Sequence, residues 1–342
     1  MSARDSSSPI SRTLSLRAGD WVEVRSVDEI LETLDGQACL DSLPFMPEML
    51  QYCGKRFRVF KSAHKTCDTI KSYQVPRRMT AAVHLEGLRC TGESHGGCQA
   101  RCLLFWKTAW LKRVAGPQPL PTDPPTGDSQ IQLGAARRNR RCNMEALACA
   151  TRAPVGKEVT AADRYSCQAT SLLKATTPLL WWDPRHYLSD LLSGNVRLVD
   201  FVRYGMLAGV NIVRRSFLNR RPDPDVRGLA GEKTPTETLD LHPGELVTVR
   251  SKEEIMHTID AQQKNRGLFF DVEMVPHCNR TYRVLARVER IIDEKTGKMI
   301  KIPGSCLLLD GVTCSGHFST YRMFCPRSIY PYWREIWLKR IE

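Results

Sequence analysis

Residues 90 to 102 read CTGESHGGCQARC, three cysteines and a histidine within thirteen residues and spaced by glycines. Thiolates and imidazoles are the ligands that zinc and iron–sulfur centres take. Glycine lets a backbone fold closely around an ion. The spacing Cys90-x7-Cys98-x3-Cys102 is not the two-residue knuckle of common zinc modules, so the same pattern also fits small buried thiols. A nucleophilic pair of Cys67 with His64 is a further reading, although without an orienting residue such a pair is more often structural. The chain carries no phosphate loop, dinucleotide fingerprint, G-x-S-x-G or H-E-x-x-H.

The two ends of the chain resemble each other. TLSLRAGDWVEVRSVDEILETLD (13–35) matches TLDLHPGELVTVRSKEEIMHTID (238–260), and EMLQYCGKRFRV (48–59) matches EMVPHCNRTYRV (273–284), both at an offset of 225. LEGLRC (85–90) matches LDGVTC (309–314), and CQARCLLFWKTAWLKR (98–113) matches CPRSIYPYWREIWLKR (325–340). Collinear matches of this kind predict two homologous copies. Cys53, Cys90 and Cys98 fall on Cys278, Cys314 and Cys325, whereas Cys67 and Cys102 fall on Ile292 and Ile329. Three shared cysteines are the expected core of a metal site in each copy. His95, Cys67 and Cys102 are extra ligands of the first, and His317, Cys306 or His277 candidates for a fourth in the second. The tripeptide CQA at 98–100 recurs at 167–169, which offers Cys167 as a ligand from the middle of the chain. Cys39, Cys142 and Cys149 have no counterparts and read as incidental.

The elements that must position these residues follow from patterning. DWVEVRS alternates as a strand, and VDEILETLD has helical spacing with Ser26 as N-cap and Glu29 completing a capping box. RFRVFKSA, AAVHLEGL and AWLKRV read as strands. A strand opening on Gly-Asp, a long insertion and short strands around a small core predict an SH3-like barrel, with Trp106, Trp110, Trp333 and Trp337 in its core. The expected class is α+β: two homologous SH3-like β-barrels, 13–114 and 238–342, joined by a Pro-rich flexible linker (115–161) and a helical segment (162–237). In that segment a helix runs from about Val196 to Arg221 with Asn195 as its N-cap. Leu198, Val199, Val202, Met206, Val210 and Val213 recur at three-to-four spacing and predict a packed face.

The formal charge is +13, so a polyanionic partner must be weighed. The excess is spread evenly: Lys and Arg against Asp and Glu number 17 and 12 in residues 1–114, 17 and 13 in 115–242, and 16 and 12 in 243–342. Nucleic-acid affinity comes from focused cationic surfaces, so nucleic acid is possible but not favoured, even with RRNRR at 137–141. Neither a signal peptide nor a membrane span is expected, since the most apolar run, YGMLAGVNIV, has ten residues and a span needs about 20. A cytoplasmic setting follows as the expectation, in which the 13 cysteines are thiols or metal ligands before they are disulfides.

LPFMPEMLQYCGKRFRV, HLEGLRC…HGGCQARCLLFWK and CPRSIYPYWREIWLKR resemble a poorly characterised bacterial family of cysteine-rich proteins encoded beside biosynthetic genes. The resemblance covers most of the chain and carries no catalytic residues. The strand pattern is also similar to SH3-like modules of the KOW type, several of which bind nucleic acid. The reading that results is a cysteine-ligated metalloprotein, with an iron–sulfur cluster or zinc, acting as an enzyme or accessory protein of bacterial specialised metabolism. Its partner would be a small-molecule substrate or a carrier or partner protein. The alternative is a zinc-stapled nucleic-acid-binding or interaction module.

Overall fold

A computed structural model of the chain describes residues 14–70, 75–117, 142–151, 164–218, 222–231 and 233–341. Most of the Pro-rich stretch, including the basic run 137–141, lies outside the described residues. The fold is a mixed α+β arrangement containing a curled, half-barrel sheet.

In the first part of the chain the elements are β1 (Trp21–Val24), α1 (Val27–Thr33), β2 (Arg56–Ser62), β3 (Lys65–Cys67), β4 (Pro76–Arg78), β5 (Ala82–Arg89), β6 (Leu103–Lys107) and β7 (Leu111–Val114). Then come α2 (Met144–Cys149), α3 (Pro184–Leu192) and α4 (Leu198–Ser216), followed by β8 (Leu246–Val249), α5 (Lys252–Met256), β9 (Thr281–Ile292), β10 (Met299–Leu309), β11 (Trp333–Arg334) and β12 (Leu338–Arg340). One sheet has the order β6-β5-β2-β1-β7 and another β11-β10-β9-β8-β12. The orders correspond strand for strand, and so does the register: Trp21 opposes Arg58 as Leu246 opposes Arg283, and Val24 opposes Leu111 as Val249 opposes Leu338.

Local detail agrees between the halves. Ser26 and Ser251 each cap a helix with a full capping box. Trp106, Trp110, Trp333 and Trp337 are all fully buried. Trp110 and Trp337 donate their indole N–H to Thr33 and Thr258 at 3.0 and 2.9 Å. Phe45 meets Trp110 edge-on at 5.1 Å, as Phe270 meets Trp337 at 5.2 Å. Such edge-to-face pairs add about 0.5–1.5 kcal/mol beyond area burial.

The middle of the chain is pinned to both halves. Cys142 and Leu147, at α2, are buried in the first core, as are Cys167 and Leu172. Asn195 does not cap α4. Its amide instead clamps Ser62, donating to the carbonyl at 2.8 Å and accepting from the N–H at 2.7 Å, while Arg197 occupies the cap position without a side-chain bond.

The aliphatic stripe of α4 is a second correction. Val199 is 71 % exposed and Met206 63 %, and the other four members are exposed as well. The helix docks by a different face, on which Phe201, Tyr204 and Ala208 pack against Val196, Met323 and Phe324. Phe201 stacks on Phe324 at 5.5 Å and Tyr204 on His317 at 4.2 Å. Both faces have helical spacing. Two aromatic rings offer more area per residue to a shallow surface than valines do, and they take the contact. Among the described residues no helix is long and apolar enough to cross a membrane.

Candidate metal centre

Cys90 follows β5 and Cys102 precedes β6, and the two are tied by a Cys90 N–H to Cys102 C=O hydrogen bond of 2.8 Å. The loop between them turns back on itself at Gly92, whose φ is +78°. A Cβ there would lie 2.0 Å from the Cys98 carbonyl oxygen, so only glycine fits. The same device recurs at Gly316, where a Cβ would lie 2.7 Å from the Cys325 nitrogen.

The result is a cavity of about 40 Å³ lined by Cys90, Cys98, Cys102, Cys167 and His95, with Arg327 and Glu294 at its wall. Room for a single water needs roughly 10–15 Å³, so an ion fits. Cys167 reaches the cavity because its neighbour Gln168 is bound into the first half. The Gln168 side chain accepts from Phe105 N–H at 2.8 Å and donates to the carbonyls of Phe105 and Pro44 at 2.9 and 3.0 Å.

His95 is the most closely placed nitrogen. Its Nε2 lies 3.2 Å from Cys90 Sγ, and its Nδ1 faces Glu48 Oε1 at 3.7 Å and Ser94 Oγ at 3.1 Å. Ligand atoms of Glu48, Cys90 and His95 all fall within 4.8 Å of one another, and this buried group could hold a metal ion. Nitrogen and sulfur on one tetrahedral zinc stand about 3.5 Å apart, from bond lengths of ~2.0–2.1 and ~2.3 Å. Glu48 Oε1 is buried without a hydrogen-bond partner. It lies on the Nδ1 side of the ring, where many metal-bound histidines have a carboxylate, and Ser94 stands between them, its Oγ 3.1 Å from Nδ1 and donating to the other Glu48 oxygen.

Burial governs the protonation of the sulfurs. It pushes the Cys167 thiol up to about 11 and Cys102 up to about 12. Cys90 is raised further, by burial first and then by Cys102 and Glu48. His95 is lowered, chiefly by burial and against the pull of Glu48. At neutral pH these cysteines are neutral thiols, and a metal would have to displace their protons.

The expected ligands divide into three groups. Cys90, His95, Cys98, Cys102 and Cys167 line the cavity. Cys53 and Cys278 do not. Each sits half-buried just after a 3-10 turn, Pro47–Tyr52 or Val272–His277, and each thiol is raised to about 11 by burial. Cys67 does not line the cavity; its thiol is raised by Cys325 and by burial, and Cys314 acts on both Cys67 and Cys325 electrostatically. Three groups of the site escaped the sequence reading: Glu48 behind His95, and Arg327 and Glu294 at the cavity wall. Glu48 had a signal, since it falls on Glu273 at the offset of 225. Both are buried, and Glu273 anchors the second-half loop by accepting from Ser315 Oγ and Phe318 N–H, both at 2.8 Å. Arg327 lies within the matched phrase 325–340 but falls on Ala100, so the comparison gave it no signal.

No family model, curated protein or solved structure matches the chain.

Proposed function

We propose that this chain is a cysteine-ligated metalloprotein whose centre forms in the cavity lined by Cys90, Cys98, Cys102 and Cys167, with His95 as nitrogen donor and Glu48 orienting it. The observation that carries the reading is the convergence of four cysteines and a histidine, from two distant stretches of the chain, on one buried cavity. Core thiols used only as small apolar groups have no reason to meet a buried imidazole backed by a carboxylate with one unpartnered oxygen.

The donor set suits zinc or an iron–sulfur cluster. Zinc would draw Cys90 Sγ and His95 Nε2 together with two further sulfurs. A cluster would use the four cysteines at wider spacing. Either would supply a fixed Lewis-acid or electron-carrying site against the buried guanidinium of Arg327. The two matching sheets fit a duplicated SH3-like unit of which the first copy carries this centre. The resemblance to proteins encoded beside biosynthetic genes makes specialised metabolism the natural setting, with a small molecule or carrier protein as partner.

The test is metal analysis and visible absorption of anaerobically purified full-length protein. Brown colour with acid-labile sulfide identifies a cluster, and colourless protein with one zinc per chain identifies zinc. Metal-free protein that neither takes up zinc nor accepts cluster reconstitution would overturn the proposal.

A further inference from the structure

The large apolar side chains that stay exposed are concentrated in one stretch. Among the described residues, twelve of nineteen fall between Leu180 and Leu218, the stretch that carries α3 and α4. Exposed apolar patches beyond a few hundred Å² mark interaction surfaces. The stripe of α4 holds no charged residue, and it lies opposite the face by which Phe201, Tyr204 and Ala208 dock. Nineteen helical residues make it about 28 Å long. A groove of about 400 Å³, lined by Tyr187, Leu188 and Leu191 of α3 and by Phe201 of α4, runs between the two helices. Aromatic rings stand at both ends, Trp182 just before α3 at 62 % exposure and Phe217 just after α4 at 82 %.

The charges beside the stripe are cationic. Arg197 and Arg203 are exposed, and Arg214 and Arg215 lie in the last turn of α4. Against them, Asp200 is half-buried and is the one acid of the helix, and Asp223 stands 3.9 Å from Arg214. We propose that α4, with α3 beside it, docks on the surface of a bilayer containing anionic phospholipid. The stripe lies in the interface about 5–10 Å deep, and the arginines meet the headgroup phosphates. Among the described residues no helix is long and apolar enough to cross a membrane, so α4 lies along the surface.

Charge selects this occupant over a protein. A second copy of the chain would repeat the same arginines beside an equally acid-free stripe. A bilayer supplies what the surface lacks, an apolar interior beneath a plane of phosphates. Guanidinium is weakly hydrated and pairs with phosphate through two parallel bonds, and no lysine occurs from Leu180 to Leu218. Exposed Trp and Phe beside an arginine-framed helix suit the boundary between headgroups and acyl chains. Each arginine near an anionic surface strengthens binding about fivefold. The inference does not rest on the cavity metal, because neither helix contributes a residue to the cavity.

The experiment floats purified full-length protein with vesicles on a sucrose gradient. The expected result is flotation with vesicles of equal parts phosphatidylcholine and phosphatidylglycerol, and much weaker flotation with phosphatidylcholine alone or at high salt. The chain's charge of +13 would itself attract anionic vesicles, so the deciding variant is Val202→Gln with Met206→Gln, which keeps the net charge. It should bind at least about tenfold more weakly, with an unchanged melting temperature. Arg203→Gln should lose about fivefold. Failure of the wild-type protein to float with the mixed vesicles at low salt would overturn the proposal. So would undiminished binding by the double variant. A fall in its melting temperature, or a wild-type dimer that it dissociates, would overturn the proposal too, since either means that protein and not lipid covers the stripe.

Discussion

Ile292, at the end of β9, gives its backbone N–H to the sulfur of Cys98 at 3.4 Å. Its counterpart by position is Cys67, and the counterpart of Cys98 is Cys325, so the two pairs occupy equivalent positions with the halves exchanged. Each half extends a strand pair over the other's cysteine loop. Gln99 holds one of these joins, donating its N–H to the Arg290 carbonyl at 3.1 Å and accepting from the N–H groups of Glu289 and Arg290 at 2.6 and 3.1 Å. Arg327, bonded to Thr69 at 2.7 Å and Glu294 at 2.9 Å, ties one extension to the other.

Metal content should follow the cavity and not the repeat. Cys90→Ser and Cys167→Ser are each expected to remove most bound metal, since a hydroxyl that stays protonated does not replace a thiolate. Glu48→Gln should weaken affinity about 10–100-fold, the usual effect of losing a carboxylate behind a metal-bound histidine. Cys53→Ser and Cys278→Ser should leave metal per chain unchanged. Elemental analysis of the five variants decides, and equal loss from Cys53→Ser would return Cys53 to the ligand set.

The glycine turns should be intolerant. Gly92→Ala places a methyl group against the Cys98 carbonyl in a left-handed backbone, and is expected to cost at least about 3 kcal/mol. Gly87 has φ +73° but open space around it, and Gly87→Ala should cost only the conformational part, about 1–2 kcal/mol. Urea midpoints measure both, and equal losses would show the crowding at Gly92 to be relieved by loop movement.

The two faces of α4 should separate cleanly. Val202→Asp and Met206→Asp lie on the exposed stripe and are expected to leave the melting temperature within a degree or two. Phe201→Asp, facing Phe324, should lower it by about 4 °C or more, an effect of at least 1–2 kcal/mol on a chain of this size. A large loss from Met206→Asp would mean that the stripe is covered in solution.

Acid should destabilise the fold through buried histidines. Burial holds His84 down to about 3, with its Nδ1 donating to the Leu104 carbonyl at 2.9 Å, and holds His186 down to about 4. Unfolded, each titrates near 6.5. Between those values the unfolded chain binds the extra protons, so stability is complete above pH 6.5 and falls as pH drops below it. Each group contributes up to about 1.4 kcal/mol per pH unit. The urea midpoint should fall from pH 6.5 to 4.5, and less steeply in His84→Gln. Parallel slopes would exclude His84 as a source.

Strands and caps were legible in the sequence because they depend on neighbours a few residues apart. Ser26 with Glu29 is a local hydrogen-bond pattern, and the alternation of Trp21–Val24 is a local burial pattern. Internal comparison added a second observation of each position. It marked the cysteines and Glu48, but it could not say which of them share a space. Cys53 is kept in both halves and lies outside the cavity; Cys167 has no counterpart and lies within it. Only the tertiary structure decided these memberships, because they depend on how the middle segment threads into the first core through Gln168 and on how each half reaches over the other. It also decided which face of α4 is covered, since two faces with the same period compete and the shape of the receiving surface chooses between them.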